Sequence, residues 1–201
     1  MFALVESGSI TKMLNGKRGI TIGGNKYPSA IYTLWTKSER EAIGIYEVEM
    51  NTSKRKNEEW YVNTDVTYAF GGGKVTGSYG DATAKAHADT LWTAQDETDG
   101  KGTEGEVATR GLKYNLIQTI KQQAAGELQN TDWYVVRKAD AGTAVPSAIT
   151  THRAAVRTKA AEQETAITNA ADTPALETLY TYTTTDGVQS RPLGELPRLE
   201  S

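Results

Sequence analysis

The chain contains no cysteine, only two histidines and no long hydrophobic run. Without cysteine it has no disulfide, no thiolate metal ligand and no cysteine nucleophile, so its stability must come from packing or assembly. Neither His87 nor His152 has another histidine at metal-ligand spacing, and no apolar stretch approaches the roughly 18 residues that a membrane-spanning helix needs. Glu6 interrupts the first apolar segment before it reaches the length of a signal peptide. These absences predict a soluble protein that is made in the cytoplasm of its producing cell, without a membrane span, a metal or a cofactor.

The two signs of charge are nearly balanced along the chain. Lysine and arginine together number 22, aspartate and glutamate number 25, and the formal net charge is -3. Because acidic and basic residues are interspersed, no dedicated basic face for nucleic acid is expected. With 201 residues and 38% hydrophobic content, the chain is long enough to bury one moderate core or two small ones.

Residues 1–95 are predicted to form a small antiparallel β-rich domain with short helices. Short β-prone segments end at turn-forming pairs such as Asn15-Gly16, and residues 44–79 alternate with the two-residue period of an antiparallel meander. Residues 36–44 predict a short helix that Thr36 or Ser38 caps and Gly44 ends. Residues 81–95, which are rich in alanine, also favour a helix.

Three successive glycines at residues 71–73 precede Lys74, which invites comparison with a phosphate-binding loop. That motif requires a hydroxyl residue directly after the lysine and an earlier glycine at a fixed distance. Val75 and Tyr68 stand at those two positions. The glycines therefore predict a hairpin turn instead.

Residues 96–109 are acidic and glycine-rich, and we interpret them as a solvated linker between two domains. Asp99 and Gly100, followed by Glu106, resemble part of a calcium-binding loop. However, Gln95 stands where the first carboxylate ligand belongs, and Gly102 replaces the usual apolar anchor.

Residues 110–182 are predicted to form a helical hairpin domain, which together with the first domain gives an α+β fold. Apolar residues recur every three or four positions in two segments, as in amphipathic helices. A third short helix is predicted to begin at Pro174, and residues 183–201, poor in isoleucine and valine, are predicted to be an extended tail that orders only against a neighbour. The periodic residues are Leu112, Leu116, Ile117, Ile120, Ala124 and Leu128 in the first helix and Ala148, Ile149, His152, Val156, Ala160 and Ile167 in the second.

The turn between these two helices carries a distinct set of polar and aromatic residues. Their order is a leucine, a Thr-Asp-Trp triplet, a loop containing glycine and proline, and then two arginines one helical turn apart. In this chain they are Leu128, Thr131, Asp132, Trp133, Arg153 and Arg157.

This order resembles the C-terminal pattern of tail proteins of tailed bacteriophages, including tail-fibre assembly proteins and fibre or baseplate components. The chain departs from the pattern at His152, where the family has tyrosine, and residues 135–149 form a longer and less acidic segment. The leading segment of such proteins is also similar to the N-terminal combination of Tyr27-Pro28, Trp35, Glu39-Arg40 and residues 43–46.

The resemblance implies a structural constellation made of Leu128, Asp132, Trp133, Arg153 and Arg157. Asp132 would cap a helix or pair with Arg153, and Trp133 would fill the space between the two helices where the hairpin turns. It further implies a structural component of the virion tail, present in several copies or as a homo-oligomer, that contacts other tail or baseplate proteins and the tail fibre.

Two alternatives stay open for the function. The first is a tail-fibre assembly chaperone that does not remain in the virion. The second is a receptor-binding or glycan-binding tip, in which the aromatic residues Trp60, Tyr61, Tyr68 and Phe70 would stack on sugar rings.

An enzymatic function is not expected. The sequence has no glycine-flanked serine of the kind that forms a nucleophile turn. The carboxylate pairs Glu39 with Glu41 and Glu47 with Glu49 could be imagined in a glycosidase, but each lies on a short segment rich in other charges and indicates solvent-facing alternation.

Overall fold

In a computed structural model, which describes residues 1–199, the chain forms two compact units that divide between Thr83 and Ala84. The larger sheet lies in the first unit and the long helices lie in the second, so the predicted α+β class is confirmed. The elements of the first unit are β1 (Phe2–Glu6), β2 (Ser9–Leu14), β3 (Ile20–Ile22), β4 (Asn25–Tyr27), α1 (Ile31–Leu34), α2 (Lys37–Ala42), β5 (Ile45–Asn51), β6 (Tyr61–Val62), β7 (Thr67–Gly71) and β8 (Lys74–Ser78), and β9 (Thr83–Ala84) lies at the junction.

The second unit follows with two short strands, five helices and a terminal hairpin within the described residues. These are β10 (Thr90–Leu91), α3 (Ala94–Thr98), β11 (Val107–Thr109), α4 (Leu112–Gln129), α5 (Asp132–Ala141), α6 (Ser147–Asn169), α7 (Thr173–Tyr180), β12 (Thr183–Thr185) and β13 (Val188–Ser190).

The main sheet of the first unit has five strands in the order β2-β1-β5-β8-β7. It is mixed, because β5 and β8 run parallel with Val48 beside Val75, whereas the other pairs are antiparallel. The predicted antiparallel meander is therefore corrected at this pair. The physical reason is the long connection through residues 52–73, since parallel neighbours need a crossover of a dozen residues or more. The edge strands β2 and β7 contact each other, so the sheet is curved.

Alternating residues of β1 supply a core on each face of this sheet. Leu4 packs with Leu14 and Ile45 beneath α1, whereas Ala3 and Val5 pack against Val75 on the other face. This division follows from the alternation of side chains along a strand.

Two local predictions in the first unit are confirmed. Thr36 and Glu39 form a reciprocal capping box at the start of α2. Between β7 and β8 the chain turns at Gly72 and Gly73, whose φ angles of 59° and 74° suit glycine in a hairpin turn.

The helix predicted for residues 81–95 is wrong, because this segment holds only β9, β10 and the first residues of α3. Its backbone instead forms hydrogen bonds with the beginning of α4. The carbonyl groups of Ala86 and His87 accept hydrogen bonds from the amides of Leu112 and Lys113, at 3.0 Å each. The Oδ1 atom of Asp89 accepts from the Gly111 amide at 2.8 Å. The segment thus satisfies the first amides of α4, which outweighs the helix propensity of its alanines.

Residues 96–109 also differ from the predicted linker, since the boundary between the units lies at residues 83 and 84. The segment contains part of α3 and all of β11, which pairs with β10. Its acidic residues are engaged locally: Asp96 completes a capping box with Thr93, and Lys101 pairs with Asp96 and Asp99.

In the second unit, α4 and α6 pack against each other as the predicted hairpin. Ile120 and Ala124 of α4 are buried, and so are Val156, Ala160 and Ile167 of α6. The third helix, α7, begins with Asp172 as its N-cap and Pro174 in its first turn.

The connection between α4 and α6 is not a simple loop, because it contains α5. Asp132 supplies the acidic first turn of this helix, and Gly142, with a φ angle of 68°, ends it in the left-handed conformation. A helix with start and stop signals of its own thus occupies most of the connection.

The predicted extended tail folds within the chain over its described part. β12 and β13 form a hairpin that turns at Asp186 and Gly187. Leu193 is 2% exposed and its amide donates to the Leu179 carbonyl at 3.0 Å. Gln163 Nε2 donates to the Gly194 carbonyl at 3.0 Å, so α6 and α7 themselves order this segment. Residues 200 and 201 of the predicted tail lie outside the described residues.

Candidate interaction site at the helical hairpin

Arg153 is a buried cation on α6 that points at the junction between α4 and α5. Its side chain is 9% exposed. Its Nη1 atom lies 2.6 Å from Thr131 Oγ1, 2.9 Å from the Leu128 carbonyl oxygen and 2.8 Å from Asp132 Oδ1. One guanidinium group therefore joins three consecutive helices.

The acceptors at this junction come from the end of α4. The Leu128 carbonyl belongs to the last turn, where intrahelical donors are missing. It accepts from the Thr131 amide at 3.0 Å and from Thr131 Oγ1 at 2.8 Å, as well as from Arg153. A cation placed at a helix C-terminus is also favoured by the helix dipole.

Asp132 completes the arrangement from the beginning of α5. Its carboxylate is 56% exposed and pairs with the buried guanidinium, while its place in the first turn suits the positive helix end. The prediction that Asp132 pairs with Arg153 is confirmed. Such a pair specifies geometry more than it adds stability, since desolvation of the arginine offsets much of the attraction.

Trp133 does not fill the space between the two helices where the hairpin turns, so the prediction from the sequence is wrong for this residue. It is 51% exposed, and its ring stacks on Tyr134 with the ring centroids 3.9 Å apart. The space at the helix junction is taken by Thr131, which is 2% exposed, and by Arg153. Because Trp133 lies in α5 and not in the loop expected there, the helix directs its side chain outward.

Arg157 also lies outside the constellation. It is exposed on α6 and its side chain forms no hydrogen bond or ion pair within residues 1–199. The structure thus brings together Leu128, Asp132 and Arg153, with Leu128 contributing its carbonyl, and adds Thr131. Thr131 was part of the triplet in the sequence, but its burial became evident only with the fold.

α5 presents a cluster, here called the α5 surface, which consists of the exposed residues Trp133 and Val136 and the half-buried residues Tyr134 and Arg137. Helical spacing places Trp133, Val136 and Arg137 on one side, with Tyr134 beside them. The Arg137 guanidinium lies 4.6 Å from the Trp133 ring centre and 5.5 Å from that of Tyr134. No residue of α5 is buried, and Val136 is 65% exposed.

Across residues 1–199, no three or more His, Asp or Glu side chains are grouped so that they could hold a metal ion. Among the helices of the same residues, none combines the length and the apolar character needed to cross a membrane.

The fold and the site define an α+β protein in which an arginine-anchored helical hairpin supports an exposed aromatic helix. In comparisons with known proteins, the chain matches no protein-family model, no curated protein and no solved structure.

Proposed function

We propose that this protein is a structural component of a bacteriophage tail, at the baseplate or the site of fibre attachment, and that it acts through protein–protein contacts. It remains in the virion in several copies and performs no catalysis. The resemblance of the segment from Leu128 to Arg157 to phage tail proteins supports this assignment.

The observation that carries the proposal is the α5 surface. Tryptophan, tyrosine and arginine are the residues most enriched at the energetic centres of protein interfaces. Here all three stand together on a helix without a buried residue, and Val136 adds apolar area. Isolated exposed apolar residues are common, but a cluster on one helix indicates a contact surface.

The anchoring of α5 makes this surface suitable for assembly. Arg153 fixes the start of the helix to both α4 and α6, so the aromatic residues are held in position before a partner binds. A preorganised surface loses less conformational entropy on association. Repeated copies of such a weak contact would sum to a stable attachment.

Mass spectrometry with peptide counting on purified particles of the producing phage tests the proposal. The expected result is a fixed ratio of this chain to the other tail proteins. Absence from particles together with abundance in the infected-cell lysate would support the fibre-assembly chaperone instead. Saturable glycan binding by the full chain, combined with a position at the fibre end, would support the receptor-binding tip.

A paired-variant experiment tests the role of the α5 surface. W133A/V136A removes apolar contacts from this surface, and V62A/V188A removes two valines that are 58% and 66% exposed elsewhere. Particles are assembled in a host that supplies each variant in place of the natural chain. We expect the first variant to remain folded but to be lost from particles, and the second to be retained. Equal retention of both would exclude the α5 surface as the attachment site.

A further inference from the structure

A cleft of about 620 Å³ opens in the first unit, between the β1–β2 face and the segment that leads into β3. Its lining includes three apolar or aromatic side chains that are each less than 9% exposed, Leu4, Leu14 and Tyr32. The partly buried side chain of Ile20 also lines it. The volume lies within the range of small-molecule pockets, which are mostly apolar with a few placed polar groups.

Lys12 stands on the core-facing side of β2. It is the cross-strand partner of Leu4, and Leu14, two residues further on, is the partner of Phe2. Since side chains two residues apart share a face, Lys12 lies beside Leu4 and Leu14 at the cleft.

Arg18, in the loop between β2 and β3, adds a second cation to the lining. The side chains of Lys12 and Arg18 form no ion pair within residues 1–199, and no acidic residue lines the cleft. Asn15 also lines the cleft and offers a neutral polar side chain, whose Oδ1 atom accepts from the Lys17 amide.

We propose that this cleft binds an amphipathic anion, in which a carboxylate or phosphate headgroup meets Lys12 and Arg18 and an apolar chain or ring covers Leu4, Leu14 and Tyr32. Two cations without a counterion attract the headgroup, and partial exclusion of water strengthens that attraction. The apolar body removes the lining residues from water. This site is independent of the tail role proposed above.

The test is an NMR titration of the isotopically labelled full chain with octanoate and with octyl phosphate, followed at the amides of Gly16 and Gly19, which line the cleft. Octan-1-ol and octylammonium have the same chain with a neutral and a cationic headgroup. We expect saturable shifts with the anions, weaker binding of the alcohol and none of the cation. The tighter of the two anions identifies the headgroup.

The matched variants are K12A/R18A, in the cleft, and K17A/K138A, which removes the same charge from exposed positions outside the lining. K12A/R18A should raise the Kd of the anions roughly tenfold, because it removes two charge contacts that solvent partly screens. K17A/K138A should leave the Kd unchanged. All four positions are exposed, so both variants should fold, which an unchanged spectrum beyond the cleft verifies.

Three results would overturn the assignment: octylammonium binding as well as octanoate, no saturable shift with either anion, or equal anion binding by K12A/R18A and the natural chain. If K12A/R18A binds the anions as well as the natural chain does and in addition self-associates, the role of Lys12 is instead to protect the edge strand β2 from pairing with other chains. Inward-pointing lysines are known to have this use.

Discussion

The guanidinium of Arg153 and the hydroxyl of Thr131 lie 2.6 Å apart, although 22 residues separate them in the chain. Both side chains are buried. Thr131 is the N-cap residue of α5 and Arg153 lies in the second turn of α6, so their contact fixes where the hairpin closes. The same arginine reaches Leu128 and Asp132, so it links the start of α5 to both α4 and α6.

Replacement of Arg153 by alanine should therefore destabilise the second unit. The loss is expected to be about 2–3 kcal/mol, because hydrogen bonds to a charged donor are removed and buried acceptors lose a partner. R153K keeps the charge but lacks the planar guanidinium group. Its free energy of unfolding should lie between those of the natural chain and R153A. The measurement is urea unfolding followed by the helical circular dichroism signal, which reports mainly on the second unit.

Arg157 supplies the matched control for this prediction. It has the same residue type on the same helix one turn later, but it is exposed. R157A should change the free energy of unfolding by no more than about 0.5 kcal/mol. A loss in R157A equal to that in R153A would mean that both arginines act structurally, as the resemblance to tail proteins implied.

A double-mutant cycle between Thr131 and Arg153 should show coupling. T131V keeps the shape of the side chain but removes the hydroxyl that Arg153 and the Leu128 carbonyl share. T131V/R153A should be less destabilised than the sum of the single variants by roughly 1 kcal/mol. T131S, which retains the hydroxyl, should recover most of the loss. Strict additivity in unfolding experiments would contradict a direct interaction.

The long helices were predictable because their signal is local. Ile120 and Ala124 in α4 and Val156 and Ala160 in α6 recur with the helical period and are buried. The Asp132–Arg153 pair was predictable from the resemblance. The burial of Thr131 was not, because a threonine after a helix is as often a solvated cap as a packed residue.

The parallel pairing of β5 with β8 was not predictable, because strand alternation carries no information on direction. The ordering of residues 183–199 was missed for a related reason. Their composition is polar, and the stabilising contacts of Leu193 and Gly194 come from α7 and α6, far away in the sequence. Non-local partners of this kind override local composition.

The C-terminal segment offers a direct test of that packing. Leu193 is 2% exposed, whereas Leu199 is 42% exposed. L193A should cost about 2–4 kcal/mol through the cavity it leaves, and L199A no more than about 0.5 kcal/mol. Thermal unfolding compares the variants, and hydrogen exchange of the Leu193 amide, which bonds to Leu179, should be slow only in the natural chain and L199A. Equal stability of the two variants would instead support the predicted extended tail, in which Leu193 is not packed against the helices.

The capping box of α3 predicts an unusually acidic carboxyl group. Asp96 accepts from Thr93 Oγ1 at 2.7 Å, from the Thr93 amide at 3.1 Å and from Lys101 Nζ at 3.0 Å. These bonds, with the Thr93 hydroxyl as the largest cause, lower the pKa of Asp96 from 3.8 to about 2. The folded pKa is below the unfolded one, so the stabilisation is present above about pH 3.8 and is lost as the pH falls through about 2.

A carboxyl-carbon NMR titration of the full chain checks this pKa and its cause. T93V removes the hydroxyl and should move the Asp96 midpoint upward toward its ordinary value, whereas T93S should keep it low. Asp99 is the internal control, because Gln95 and then Lys101 lower its pKa, and it should titrate alike in all three chains. An Asp96 midpoint that does not move in T93V would assign the low pKa to the Thr93 amide and Lys101 rather than to the Thr93 hydroxyl.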